Sequence, residues 1–188
     1  PVPLCAQPHE QVVQDGIRAA GEATRARILV LLSHGELSVG ELAQVLNQSQ
    51  PRLSRHLKFL TGAGLVERLP EGAWVFYRLP GDGGRRALVD TLVNSINPSD
   101  PDVLRDLARL GQLMLNEGRV GDVQVIPAEA IARIRQGGSK DTFAKAGYDL
   151  LPGWSYQGMW WVSHDDHGSF AARGVHGQTI WIDPAAQM

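Results

Sequence analysis

Apolar residues in the first part of the chain recur at helical spacing in three segments. The first two cover residues 11–20 and 22–33, and Gly35 follows the second, as glycines often do just past a helix C-terminus. The third segment begins at Ser38, and Glu41 lies three residues later, which is the spacing of a capping box. The pattern therefore predicts two helices followed by a shorter third one.

The next segment combines an apolar stripe with a cationic face. Ser49 is a typical N-cap, and Pro51 stands in the first turn, where the missing N–H costs nothing. At about 100° per residue, a row of leucines lines one side of the helix. The stretch SQPRLSRHLK, residues 49–58, has no acidic residue, and its basic side chains fan across the opposite side: Arg52, Arg55 and Lys58.

Two alternating segments follow this cationic helix. LVERL and GAWVFYRL have the alternation of β-strands, and we expect a turn between them at residues 70–72. Helix, turn, cationic helix and hairpin in this order predict a winged helix-turn-helix over residues 1–98. In that fold the second helix of the pair enters the DNA major groove, and the wing reaches along the DNA backbone.

Residues 99–118 are predicted to form a long amphipathic helix after a further helix near residues 85–96. Ser99, Asp100 and Pro101 supply its start, and a wide apolar stripe follows. One winged helix is too small to cover this stripe and the first helix as well, so we interpret the segment as a dimerisation helix of a twofold dimer. The predicted interface residues are Val103, Leu104, Leu107, Leu110 and Met114.

Residues 119–188 are predicted to form a small C-terminal module of uncertain fold. VGDVQVIP suggests a strand and AEAIARIR a short helix. Four of the five tryptophans follow residue 139, and we interpret them as the core of a small strand-containing module rather than a ligand cage. The expected fold class is therefore mainly α with a β-hairpin wing, an α+β winged helix-turn-helix.

Composition excludes several classes of protein. The 188 residues are 43% hydrophobic and 20% charged, which is typical of globular domains and not of disordered or fibrous chains. The single cysteine, Cys5, permits neither an internal disulfide nor a cysteine-built zinc site. No apolar run is long enough to span a membrane, and the start has no features of a secretory signal. We therefore expect a cytoplasmic protein without a membrane partner.

Charge is distributed unevenly along the chain. The formal net charge is −2. Residues 1–98 hold ten basic and nine acidic residues, whereas residues 99–188 hold eight basic and eleven acidic residues. A surface that binds a polyanion is therefore expected in the first half. In the predicted wing, Arg68 and Arg78 are further candidates for phosphate contacts. In the cationic helix, His56 is a candidate for an orienting hydrogen bond or a phosphate contact.

The stretch Thr24–Leu79 resembles the ArsR family of dimeric winged-helix repressors, on the motifs SQPRLSRHLKFL and GLVERLPEGAWVFYRL. The resemblance covers about 95 residues in all. It implies an autoregulating repressor that binds a double-stranded DNA operator and whose effector lowers operator affinity. By matching position, it implies that these residues face DNA: Ser49, Gln50, Arg52, Ser54 and Arg55.

The sensing sites of that family do not carry over. Ser38 and Gly40 stand where its metal-sensing members place cysteines, Pro101–Gly118 contains no histidine, and persulfide sensing would need a second cysteine. The DNA-binding half looks most similar to members fused to a methyltransferase, but no GxGxG motif follows Gly118. The fused enzyme is therefore absent or replaced, and the effector stays unidentified.

A cluster of potential metal ligands lies in the C-terminal module. Imidazoles and carboxylates suit zinc or nickel, but this cluster lacks the i, i+4 spacing of a helical metal site. We interpret it as a polar surface turn and assign no catalytic residue, metal or cofactor. The cluster consists of His164, Asp165, Asp166, His167 and His176.

Three functional hypotheses follow from the sequence. The leading one is a homodimeric, sequence-specific DNA-binding repressor released by an effector. The second is an enzyme or metal protein whose site is in the C-terminal module, with the winged helix as a regulatory appendage. The third is an interaction module whose dimer surface engages another protein.

Overall fold

A computed structural model describes residues 8–81, 83–148, 150–173 and 179–186 of the chain. Its N-terminal half alternates helices with the strands of a small sheet. In chain order the elements are α1 (Pro8–Ala20), α2 (Ala23–Leu32), β1 (Leu37–Ser38), α3 (Val39–Leu46), α4 (Gln50–Gly62), β2 (Glu67–Glu71), β3 (Trp74–Arg78) and α5 (Gly84–Asn94).

The predicted winged helix-turn-helix is confirmed. The Ser38 hydroxyl accepts a hydrogen bond from the Glu41 N–H, and the Glu41 carboxylate accepts one from the Ser38 N–H, so the capping box fixes the start of α3. Strands β2 and β3 form the hairpin, and β1 pairs with β3 to give a three-stranded antiparallel sheet in the order β1-β3-β2. Glu71 pairs with Trp74, so the turn lies at residues 72–73 and not at 70–72.

The C-terminal half contains a long helix, a small hairpin and a second sheet. Its elements are α6 (Pro101–Leu115), β4 (Arg119–Val120), β5 (Val123–Gln124), α7 (Ala128–Gln136), α8 (Lys140–Lys145), β6 (Ser155–Gln157), β7 (Trp160–Val162), β8 (Phe170–Arg173) and β9 (Thr179–Ile182). The last four strands form an antiparallel sheet in chain order. VGDVQVIP contains the β4–β5 hairpin and not one strand, because Gly121 turns the chain at a φ of 56°.

The apolar stripe of α6 is covered within one chain, which corrects the expectation that it needs a second subunit. Val103, Leu107, Leu110 and Met114 are each less than 9% exposed, and only Leu104 of the predicted interface residues is exposed, at 51%. Helix α6 packs against α2 and α3 on one side and against β9 on the other. The C-terminal sheet covers the part of the stripe that the winged helix leaves open, so no second subunit is needed to bury it.

Polar contacts fasten α6 to the winged helix. The Arg27 guanidinium donates to both carboxylate oxygens of Asp106, at 2.5 Å and 2.7 Å, and Arg109 donates to the carbonyl of Val45 at 3.3 Å. One hydrophobic core therefore runs from α2 through α6 into the C-terminal sheet. Among the described residues, no helix is long and apolar enough to cross a bilayer.

Candidate nucleic-acid interface

Helix α4 presents the predicted DNA-contacting residues to solvent. Leu53, Leu57 and Leu60 are at most 1% exposed and hold the helix against the core. The opposite side is open, and apart from Phe59 the positions between these leucines are polar or charged. Six of the residues predicted to contact DNA are exposed on this side: Ser49, Gln50, Arg52, Ser54, Arg55 and Lys58.

The charges on this face are not neutralised within the described part of the chain. Arg52 and Lys58 form no ion pair with any described residue, and Arg55 bonds only the carbonyl of Pro51, one turn earlier in the same helix. Ser49 caps α4 without a side-chain hydrogen bond to the helix. The guanidinium, ammonium and hydroxyl groups are therefore available to an external anion.

The two wing arginines lie on opposite faces of the hairpin. Arg68 is directly opposite Tyr77 in the ladder, whereas Arg78 is opposite Glu67, so the register places them on different sides. Arg78 donates to Glu67 at 3.0 Å and lies 3.6 Å from Glu36. Arg68 is exposed. Of the two, Arg68 is the one suited to a phosphate contact.

His56 lies at the edge of the α4 face and faces α2. Its Nδ1 is 3.4 Å from a carboxylate oxygen of Glu22, the N-cap residue of α2, and burial lowers the pKa of the imidazole. Nδ1 is buried without a hydrogen bond. His56 therefore packs between the two helices rather than projecting outwards like Arg55.

The cationic surface extends beyond α4 through residues that sequence reasoning missed. A groove of about 900 Å³ runs between α1, α2 and α4. Arg25 lies over the Phe59 ring, with its guanidinium carbon 5.6 Å from the ring centre, and Phe59 is 64% exposed. Arg18 lines the same groove. Only the helix packing brings these arginines beside Arg55, so spacing along the chain gave no signal.

The polar cluster of the C-terminal module is divided among separate partners. His164 Nε2 is 2.7 Å from the Ser155 hydroxyl, and His167 Nδ1 is 2.8 Å from a carboxylate oxygen of Asp183. The contact with Asp183 raises the pKa of His167. Asp165 accepts backbone N–H bonds from residues 167 and 169 within its own turn, and His176 lies outside the described residues.

The described residues contain no cluster of side chains that could hold a metal ion. Among these residues, no three histidine, cysteine or acidic side chains are placed to hold one ion together. Ser155 and His164 form a serine–histidine pair that the sequence gave no reason to expect. Ser155 is 0% exposed, and its hydroxyl oxygen also accepts the Gly138 N–H. The pair joins β6 to the loop after β7, and the Gly138 bond joins the loop before α8 to β6.

The chain is similar to known bacterial regulatory proteins. Residues 22–68 match the model of a bacterial regulatory protein of the arsR family. The chain is 37% identical to the arsenic resistance transcriptional regulator ArsR1 of Pseudomonas putida, over 50% of this chain and 77% of that protein. Among solved structures, HlyU of Vibrio cholerae matches at 34% identity, over 47% of this chain and 95% of that one, with a TM-score of 0.42.

A second relative covers both halves of the chain. A 6-aminohexanoate-dimer hydrolase of Paenarthrobacter ureafaciens is 27% identical over 95% of this chain. The chain spans only 45% of the length of that protein. The match to the regulator ArsR1 has the higher identity of the two and covers most of that protein. The family match at residues 22–68 coincides with the helix-turn-helix and its cationic face. The chain therefore belongs to the ArsR family of DNA-binding transcriptional regulators.

Proposed function

We propose that the chain is a homodimeric, sequence-specific repressor that acts in the cytoplasm, binds a double-stranded operator and is released by an effector. The observation that supports this most is the exposed face of α4. It carries Arg52, Arg55 and Lys58 on one helix that is fixed from behind by three buried leucines. A rigid cationic helix following a short first helix has the geometry that docks in a major groove.

Within this face the side chains have different roles. Arg55 lies near the middle of the exposed side and suits a bidentate contact with guanine O6 and N7. Lys58, one turn further on, suits a phosphate, and so does Arg68 on the wing. Ser49, Gln50 and Ser54 supply hydroxyl and amide groups for bases or phosphates. Arg78 is not part of this proposal, because Glu67 and Glu36 already hold it.

Pairing of two subunits is proposed through α1 and not through the stripe of α6. Val13 and Ile17 lie four residues apart on one face of α1 and are 43% and 53% exposed. The neighbouring side of α1 packs against the core at Gly16, where an added Cβ would meet the Leu88 side chain. An exposed apolar stripe beside a side that is fixed to the core suits a twofold contact between two copies of the helix.

The hydrolase relative raises the alternative of an enzyme site in the C-terminal half. In the described residues, the hydroxyl and imidazole of Ser155 and His164 are close enough for nucleophilic catalysis. The hydroxyl is fully buried, however, and a substrate carbonyl could not reach it. This arrangement favours a structural role for the pair, and we propose regulation rather than hydrolysis as the function.

The test begins with footprinting of the purified protein on the DNA upstream of its own gene. Binding of the protected site and of random DNA is then compared for Arg55→Ala, Lys58→Ala and the control Arg133→Gln. Arg55→Ala should weaken operator binding by about 1–3 kcal/mol and relax specificity, whereas Lys58→Ala should weaken both DNAs alike.

Arg133 is an exposed arginine on α7, away from α4, so its replacement should change neither affinity. Equal losses on operator and random DNA for Arg55→Ala would remove the base-reading role of that residue. Loss of binding in the Arg133 control, or no protected site at all, would contradict the proposed function.

A further inference from the structure

A cavity of about 640 Å³ opens between the winged helix and the C-terminal sheet. Ser33 at the end of α2 and Arg86 on α5 form one side of it, and residues of α8 and of β6 to β8 form the other. None of its described lining residues belongs to α4 or the wing. The volume is in the range of small-molecule sites, which are usually lined by apolar and aromatic side chains.

One wall of this cavity is aromatic and centred on Trp161. Three rings meet the Trp161 indole edge-on, with centre-to-centre distances of 5.4 Å for Phe143, 4.9 Å for Tyr148 and 5.8 Å for Tyr156. Tyr148 and Tyr156 are 44% and 46% exposed. Tyr148 stacks on the buried Phe143 through one face, so part of each tyrosine ring remains open to a planar apolar group.

Arg173 gives the cavity a positive charge that no described lining residue compensates. The Arg173 guanidinium carbon lies 5.2 Å from the centre of the Trp161 ring, and Arg173 has no ion pair with a described residue. Arg86 is fixed by bonds from Nε to Asp90 and from Nη1 to the Pro80 carbonyl. No described side chain that lines the cavity carries a carboxylate.

We propose that this cavity binds a small aryl carboxylate and is the effector site of the regulator. The ring of such an acid would pack against Trp161 and Tyr148, and its carboxylate would accept charge-assisted hydrogen bonds from Arg173. The effector role rests on the proposed repressor function. Ser33 and Arg86 support it, because they place α2 and α5 of the winged helix in the wall of the site.

Calorimetric titration of the whole chain tests the site without DNA. The probes are benzoate, phenylacetate and indole-3-acetate, with phenylacetamide as the uncharged control. We expect saturable binding of at least one acid, no comparable binding of the amide, and a loss of about tenfold or more in Arg173→Gln. Arg133→Gln should bind like the wild type. Absence of saturable binding by all three acids, or equal binding by Arg173→Gln, overturns the site.

A second titration separates the site from its effector role. Operator affinity is measured with and without the acid that binds, and we expect a change of about tenfold that Arg173→Gln abolishes. If an acid binds in the calorimeter but does not change operator affinity, the effector role is overturned, whereas the binding site itself is supported. If the protein bound no operator, the proposed function would fail, whereas the calorimetry would still decide whether the cavity binds the acid.

Discussion

At the scale of single residues, the ion pair between Arg27 of α2 and Asp106 of α6 should stabilise the fold. The Asp106 side chain is 2% exposed and that of Arg27 is 20% exposed. Asp106→Ala leaves a partly buried guanidinium without its ion pair, and we expect the free energy of unfolding to fall by about 2–3 kcal/mol. Urea denaturation provides the measurement.

The matched control for this prediction is on the same helix. Asp102 pairs with Arg105, but both side chains are more than half exposed, so Asp102→Ala should cost no more than about 1 kcal/mol. Equal effects of the two substitutions would contradict the role assigned to Asp106.

His34 should give the fold a dependence on pH. Its Nδ1 lies 3.0 Å from the Val30 carbonyl, so Nδ1 carries the proton, and Nε2 is buried without a partner. Burial lowers the pKa of His34 to about 4 from an ordinary value of 6.5. The unfolded chain therefore binds the proton more readily, and stability should fall by about 3 kcal/mol as the pH drops from 6.5 to 4.

The test for His34 is the difference in unfolding free energy between wild type and His34→Asn across this pH range. Asparagine keeps a donor near Nδ1 but does not titrate. Burial raises the pKa of the nearby Glu41, which acts in the opposite direction, but that effect is common to both proteins. A difference that stays constant with pH would show that His34 is readily protonated in the folded chain.

At the scale of elements, an aspartate substitution should have different effects in α1 and in α6. Ile17→Asp should give monomers with weakened operator binding, because Ile17 is on the proposed pairing face. Leu110→Asp should unfold the chain instead, since Leu110 is 1% exposed. Sedimentation velocity and circular dichroism separate the two outcomes. Leu104→Asp, on the exposed side of α6, is the control, and a dimer dissociated by it would contradict pairing through α1.

The elements that local chemistry determines could be predicted from the sequence. The capping box at Ser38 and the leucine row of α4 need only their own residues, and both lie as expected. The covering of α6 depends on β9, about 70 residues further along the chain, and no periodicity shows which layer meets which stripe. The groove beside Arg25 and the wall around Trp161 were missed for the same reason, since both need several elements to pack together.

At the scale of the whole molecule, the two halves share one core. Helix α6 has α2 and α3 on one side and β9 on the other, and the cavity beside Trp161 has walls from both halves. A ligand in that cavity would contact α5 and α2 directly. This continuity connects the C-terminal half to α4 through α2, which neither the family match nor the sequence pattern revealed.

The central claim is that the cationic face of α4 contacts DNA phosphates and bases. Operator affinity measured over a series of salt concentrations tests it most directly. Log affinity should fall linearly with log salt, with a slope of about −0.9 per phosphate contact. In Lys58→Gln the slope should be shallower by about one unit for each subunit, whereas Arg133→Gln should keep the wild-type slope. An operator affinity that does not depend on salt, or a slope that Lys58→Gln leaves unchanged, would contradict the account.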